Sequence, residues 1–337
     1  MSDLDAMILF IIAEGTLVIP ILAFVASFFL WPSALIKVYY WYWRTTLGLQ
    51  VRYADCGGYR FCYSYRGKPG KRPSILILHG FSAHKDTWLT VVKYLPKHLH
   101  IVCVDMPGHE GTRRTNREDY SIQGQARRIH QFVETIGLNR KLFYLLGISM
   151  GGVWSVTLRV CVCVCARGKY GKFLQDLEHS NYTLNNPLIP TTPEEMEDML
   201  RLCSHVRFKI PQQILQGLID ARQPHNTFYK EVFMEIVGQS KYALHQHLHL
   251  ITAPLQVIWG KQDQVTMIQG VSWVQGGPAG QLWTCCGDGE TFTDSRTHLG
   301  LYHHATRCHG WCKEIFLNKR RSAISMLHVL LIHGMHI

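Results

Sequence analysis

The stretch Phe143-Tyr144-Leu145-Leu146-Gly147-Ile148-Ser149-Met150-Gly151-Gly152 decides the architecture. Its first four residues form a short unbroken apolar run, which is how a parallel strand buried on both faces reads. A G-x-S-x-G pentapeptide over 147–151 follows without a linker, where such a strand hands over to a helix. A turn that sharp leaves no room for side chains two residues before and after the serine, so both flanks must be glycine. The hydroxyl is then lifted above the strand ends, and the following helix points its positive end at any negative charge developing there. Ser149 is the candidate nucleophile.

Two runs of the same kind lie upstream. Ser74-Ile75-Leu76-Ile77-Leu78 ends in His79-Gly80-Phe81, and Ile101-Val102-Cys103-Val104-Asp105 is halted by Met106-Pro107-Gly108-His109. A helical stretch over 88–95 between them gives a βαβ unit, and 120–136 has the spacing of another helix. Residues 160–165 and 255–259 add strands, so strand and helix alternate. That alternation predicts an α/β fold with a doubly wound, mostly parallel sheet. Between 187 and 250 the pattern turns to helices alone. Thr192-Pro193-Glu194-Glu195 starts one of them, with proline in the first turn and acid near the positive end, and Pro211 opens another. This segment is read as a helical cap where an apolar substrate channel can form.

A serine attacking an acyl carbon needs donors fixed in advance for the oxyanion. The backbone N–H groups of Phe81 and Met150 are the candidates. His79 precedes the nucleophile on a different strand end and is read as support for its loop. The acid of a triad belongs after the nucleophile, at the carboxyl end of a later strand, and Asp263 stands there behind Trp259-Gly260. Asp105 lies upstream at the opening of a Pro-Gly loop and is read as fixing that loop. No cysteine sits at such a turn.

Residues 15–36 carry no ionisable side chain. At about 1.5 Å per residue a helix of that length spans a hydrocarbon core of about 30 Å, so a single transmembrane helix is expected. Asp3 and Asp5 precede it where a cleaved signal would be basic, and bulky Trp31 and Pro32 stand near its end, so the segment is read as a permanent anchor. Tyr39-Tyr40-Trp41-Tyr42-Trp43 suits the headgroup layer, with Lys37, Arg44 and Arg52 around it. This flanking charge predicts a lumenal amino terminus and a cytoplasmic body, which would leave Asn181-Tyr182-Thr183 unglycosylated.

The net charge of +11 is spread along the chain with no nucleic-acid motif, so no nucleic-acid partner is expected and anionic lipid headgroups are. Eleven cysteines are an odd number in a chain of this size, which speaks for free thiols in a reducing compartment. Cys161, Cys163 and Cys165 alternate with valines at the period of a strand, and Cys308 and Cys312 flank His309 without a fourth ligand. No metal and no cofactor is expected.

With HGF at 79–81, DMPGHEG at 105–111, GISMGG at 147–152 and WGKQD at 259–263, the chain resembles the α/β-hydrolase superfamily. Within it, the anchor, aromatic belt and cap look like those of membrane-anchored monoacylglycerol lipases, over residues 1–157 and 187–265. The resemblance implies hydrolysis of monoacylglycerol esters, 2-arachidonoylglycerol among them, to fatty acid and glycerol, with lysophospholipids as further substrates. It also implies late-endosomal and lysosomal membranes, and glutamate receptors as membrane-protein partners. The chain divides into an anchor and aromatic belt (1–44), the first part of the core (45–186), the cap (187–250), a core strand with the acid loop (251–265) and a divergent tail (266–337).

Two departures from the family pattern stand out. The helix after Ser149 is short, because Val153-Trp154-Ser155-Val156-Thr157 leads almost at once into the strand run. Beyond Val265 there is no Gly-His pair of the kind the family uses for its base. By distance from Asp263, His298 is the nearest substitute, with His303, His304 and His309 behind it. The expected function is therefore a serine carboxylic-ester hydrolase of reduced activity. The alternative is a membrane-anchored pseudo-hydrolase that binds lipid or a partner protein.

Overall fold

Helices α1 (Asp3–Leu30) and α2 (Pro32–Thr46) open the computed structural model, which describes residues 3–112, 119–152, 161–165, 186–203, 209–238, 255–260, 280–285 and 292–294. Pro32 has no N–H to continue the first helix and restricts the residue before it, so Trp31 leaves helical geometry at φ −140 and ψ 61. The axis turns by 115° between Val18–Leu30 and Pro32–Thr46. The apolar stretch 15–36, expected as one span, is thus two helices meeting at a proline. Among the described residues no single helix is long and apolar enough to cross a membrane, whereas the bent pair meets that length and composition together. Ile19, Leu22, Phe24, Phe29, Leu30 and Trp31 are exposed along it.

Strands β1 (Gln50–Cys56) and β2 (Tyr59–Arg66) pair antiparallel. Gly57 and Gly58 close the hairpin, both at positive φ, as a tight two-residue turn requires. Then come β3 (Ser74–Leu78), β4 (Ile101–Val104), β5 (Phe143–Ile148), β6 (Cys161–Cys165), β7 (Leu255–Gly260), β8 (Gly280–Cys285) and β9 (Phe292–Asp294). Their order across the sheet is β1-β2-β4-β3-β5-β6-β7-β8-β9. The strands from β4 to β8 are parallel, and β2 and β9 flank them antiparallel. All parallel strands therefore open their carboxyl ends on one edge, where loops converge.

The unbroken apolar strands are explained by two covered faces. Ile75, Ile77, Ile101 and Cys103 pack with Trp88, Val92 and Leu95 on one side. Leu76, Leu78, Val102 and Val104 pack on the other with Ile129 and Phe132 of α4 (Ile122–Thr135) and with Met196, Leu215 and Val232 of the cap. The helix expected at 88–95 is a 3-10 turn, Lys85–Trp88, running into one turn of α3 (Leu89–Val92). Pro96 accounts for its early end, since the residue before a proline is pushed out of the helical region.

The cap holds α5 (Pro193–Cys203), α6 (Gln212–Arg222) and α7 (Asn226–Gly238). Thr191, Thr192 and Glu195 close the start of α5 in a variant of the capping box. The Glu195 N–H donates to Thr192 Oγ1 at 3.2 Å, and Glu195 Oε2 accepts from the Thr191 N–H at 2.7 Å. Residues 149–160 join β5 to β6, about the dozen a parallel crossover needs. Strands β8 and β9 are drawn from the tail, whose composition shows no strand signal of comparable strength. Cys56, Cys62, Cys103 and Cys203 are free thiols.

Candidate active site

Ser149 stands half-buried at the end of β5 with φ 53, in the left-handed region, and a helix begins at Met150. The flanking glycines are dictated by backbone contact. A Cβ on Gly147 would lie 2.5 Å from the carbonyl carbon of Gly151, and one on Gly151 would lie 2.5 Å from the carbonyl oxygen of His79. The turn therefore presses its own two ends together and leans on the neighbouring β3 loop. Gly80 of that loop lies alongside, since a Cβ there would be 3.4 Å from the Cβ of Ser149. The segment carrying Phe81 is thus brought next to the serine. Among the described residues, no acceptor engages the N–H of Phe81 or of Met150.

His79 is fully buried and supports the loop, as expected of it. Its Nδ1–H donates to the Gly80 carbonyl at 2.8 Å, and its Nε2 accepts from the Met106 N–H at 2.9 Å. Burial lowers its pKa to about 4, so the ring is neutral and keeps the acceptor that Met106 needs. Asp105 fixes the following loop. Its carboxylate accepts from the Lys85 N–H at 2.7 Å, from Lys85 Nζ at 2.8 Å and from the Gly111 N–H at 3.3 Å. Burial alone would lower the Lys85 ammonium, but the Asp105 and Asp86 carboxylates outweigh it and hold it raised.

The cap reaches the same loop. The Phe81 ring packs on Tyr229 and Phe233 of α7, with centroids 6.0 and 5.5 Å apart. Arg222, at the end of α6, is buried and donates to Ser82 Oγ at 2.8 Å, to the Ser82 carbonyl at 3.2 Å and to the Leu188 carbonyl at 3.1 Å. The His109 ring sits among His79, Phe228 and Tyr229 at 5.0 to 5.3 Å. Lys85 and Arg222 went unremarked in the sequence, where lone basic residues read as solvated surface.

Asp263 lies outside the described residues, beyond Gly260 of β7, a strand whose carboxyl end opens on the same edge as that of β5. His298, His303, His304, His309, Cys308 and Cys312 also lie outside them. The carboxyl end of β8 opens on the same edge, and residues 286–291, which follow it in the sequence before β9, include no histidine. Strand β9 then runs back along β8, from Phe292 opposite Cys285 to Asp294 opposite Trp283. Among the described residues no group of three or more His, Cys, Asp or Glu side chains is arranged to hold a metal ion.

The sequence around this strained serine matches a known family over residues 75–287. The chain belongs to the alpha/beta hydrolase family. This hydrolase is similar to monoacylglycerol lipase ABHD6 of Rattus norvegicus, with 59% identity over 284 residues, covering 80% of this chain and 84% of that one. It is 55% identical over 295 residues to monoacylglycerol lipase abhd6-A of Xenopus laevis, covering 81% and 86%. Among solved structures, a bacterial membrane phospholipase A superimposes with a TM-score of 0.66 at 22% identity, over 80% of this chain and 89% of that one, a likeness of fold.

Proposed function

We propose that this chain is a serine hydrolase that cleaves monoacylglycerol esters to fatty acid and glycerol, with Ser149 as nucleophile. The observation that carries this reading is the left-handed Ser149 between β5 and its helix, with the Gly80-Phe81 backbone alongside. Ser149 Oγ attacks the acyl carbonyl, and the N–H groups of Phe81 and Met150 hold the oxyanion that forms. The ester bond to the glyceryl oxygen breaks and that oxygen takes the proton the serine gave up; water then splits the acyl-enzyme into fatty acid and free serine. Asp263 is the triad acid in this reading, supported by its place in the sequence just after β7, a strand whose carboxyl end opens on the shared edge. The base, for which His298 is the nearest substitute in sequence, has to reach that edge from beyond β9.

The exposed apolar face of α1, followed by the aromatic residues of α2, supports anchoring in a bilayer with a cytoplasmic body. Amphiphilic substrate would then meet the cap directly. Late-endosomal and lysosomal membranes, lysophospholipid substrates and glutamate receptor partners rest on resemblance to the family. The absence of histidine from residues 286–291 favours a second reading, a catalytically impaired membrane-anchored pseudo-hydrolase that binds lipid or a partner protein.

Labelling the full chain with a fluorophosphonate probe, beside Ser149→Ala and His298→Ala variants, separates the two. Labelling lost in Ser149→Ala supports the hydrolase, and an additional loss in His298→Ala makes that residue the base. A folded wild type that takes up no label favours the binding-only reading.

A further inference from the structure

We propose that α2, the helix following the apolar segment, positions the oxyanion loop, with Arg44 and Asp86 as the positioning residues. This rests on the reading of Ser149 as nucleophile and of the Phe81 N–H as oxyanion donor. Arg44, in the last turn of α2, donates from Nη1 to Asp86 Oδ2. Asp86 Oδ2 lies 3.7 Å from Lys85 Nζ, which is bound in turn to Asp105 at 2.8 Å. Four charges of alternating sign therefore run from the helix to the end of β4. Asp105 is fully buried and Lys85 and Asp86 nearly so, while Arg44 is 21% exposed.

The position of this row gives it its meaning. Residues 84–86 are the direct continuation of the loop that carries Gly80 and Phe81 past Ser149, with the Ala83 N–H bonded back to the Gly80 carbonyl. With Arg44 in place the row is neutral. Without it, one buried lysine faces two buried carboxylates, an uncompensated buried charge that destabilises the loop packed around it. The Tyr40 ring stands edge-on to His84 at 4.9 Å, so α2 grips the loop at two points. The same helix touches the cap, because a Cβ on Gly217 of α6 would lie 2.8 Å from the carbonyl carbon of Pro32 and 3.0 Å from Ile36 Cδ1. Its outward residues Val38, Trp41 and Tyr42 are exposed. This helix, whose outer face would rest on a lipid surface, thus reaches the donor loop through an ion pair and a ring contact.

The test uses the full chain in detergent micelles: wild type, Arg44→Gln, Arg44→Lys and Asp86→Asn. The fluorophosphonate reaction rate is read beside amide hydrogen exchange over residues 79–86 and over β5. Arg44→Gln is expected to slow labelling about tenfold, below the roughly hundredfold that a 1 Å misplacement of reacting groups can cost. Exchange should rise in 79–86 while β5 keeps its protection, and Arg44→Lys, which retains the charge, should recover most of the rate. Labelling of Arg44→Gln at the wild-type rate, or slowing matched by lost protection in β5, overturns the positioning role. A wild type that does not label strikes the hydrolase reading, and the proposal with it. A labelled wild type indifferent to Arg44 strikes the proposal alone.

Discussion

Arg222 donates to both oxygens of Ser82, a residue held at φ 54. The cap thus bolts the β3 loop at a backbone position that a non-glycine residue adopts reluctantly. Arg222→Met keeps the length of the side chain and leaves the Ser82 and Leu188 carbonyls without their donor. Stability should fall by about 3 kcal/mol, the upper range for buried polar groups left unpaired. Denaturant unfolding reads this as a lower midpoint at constant slope, and an unchanged midpoint would show that the bolt contributes nothing.

The left-handed backbone of Ser149 predicts a difference between two inactive variants. Glycine adopts φ 53 freely, whereas alanine keeps the strain of about 1 to 2 kcal/mol. Ser149→Gly should unfold at a higher denaturant concentration than Ser149→Ala, with both unreactive to fluorophosphonate. Equal midpoints would mean that the turn stores no strain.

Gly217 predicts a reversal of sign. In an ordinary helix interior, glycine to alanine gains about 1 kcal/mol. Here the added carbon meets the backbone of Pro32 at 2.8 Å, so Gly217→Ala should instead lower the melting temperature. A rise would mean that α2 gives way without cost.

Acid should loosen the loop through His79. Its folded pKa of about 4 lies below the ordinary 6.5, so the unfolded chain binds the extra proton first. The stability this neutral ring contributes is complete above about pH 6.5 and is lost as pH falls toward 4. By pH 5 the loss from His79 is about 2 kcal/mol, at about 1.4 kcal/mol per unit. His109, also pushed well below its usual value by burial, acts in the same direction. Melting temperatures at pH 7 and pH 5 check this, and a flat profile would sink it.

The sheet was legible because strands buried on both faces leave unbroken apolar runs, and the elbow because backbone contact admits only glycine at 147 and 151. The cap helices were legible at Thr192, whose hydroxyl caps its helix, and at Pro211, which stands just ahead of the next one, because helix-start signals are local. The bend at Trp31 was not, because hydropathy over 15–36 continues across Pro32 without a break. Nor were the partners of Lys85 and Arg222, which lie in loops and termini that only tertiary packing brings together. Strand β8 has mixed composition, and its pairing with β7 supplies what local preference lacks.

Twelve residues, 149–160, separate β5 from β6 along the chain, about the least that a parallel crossover spans. A deletion between them that slid β6 one place along β5 would exchange the two faces of that strand, beside the turn that carries the reactive hydroxyl.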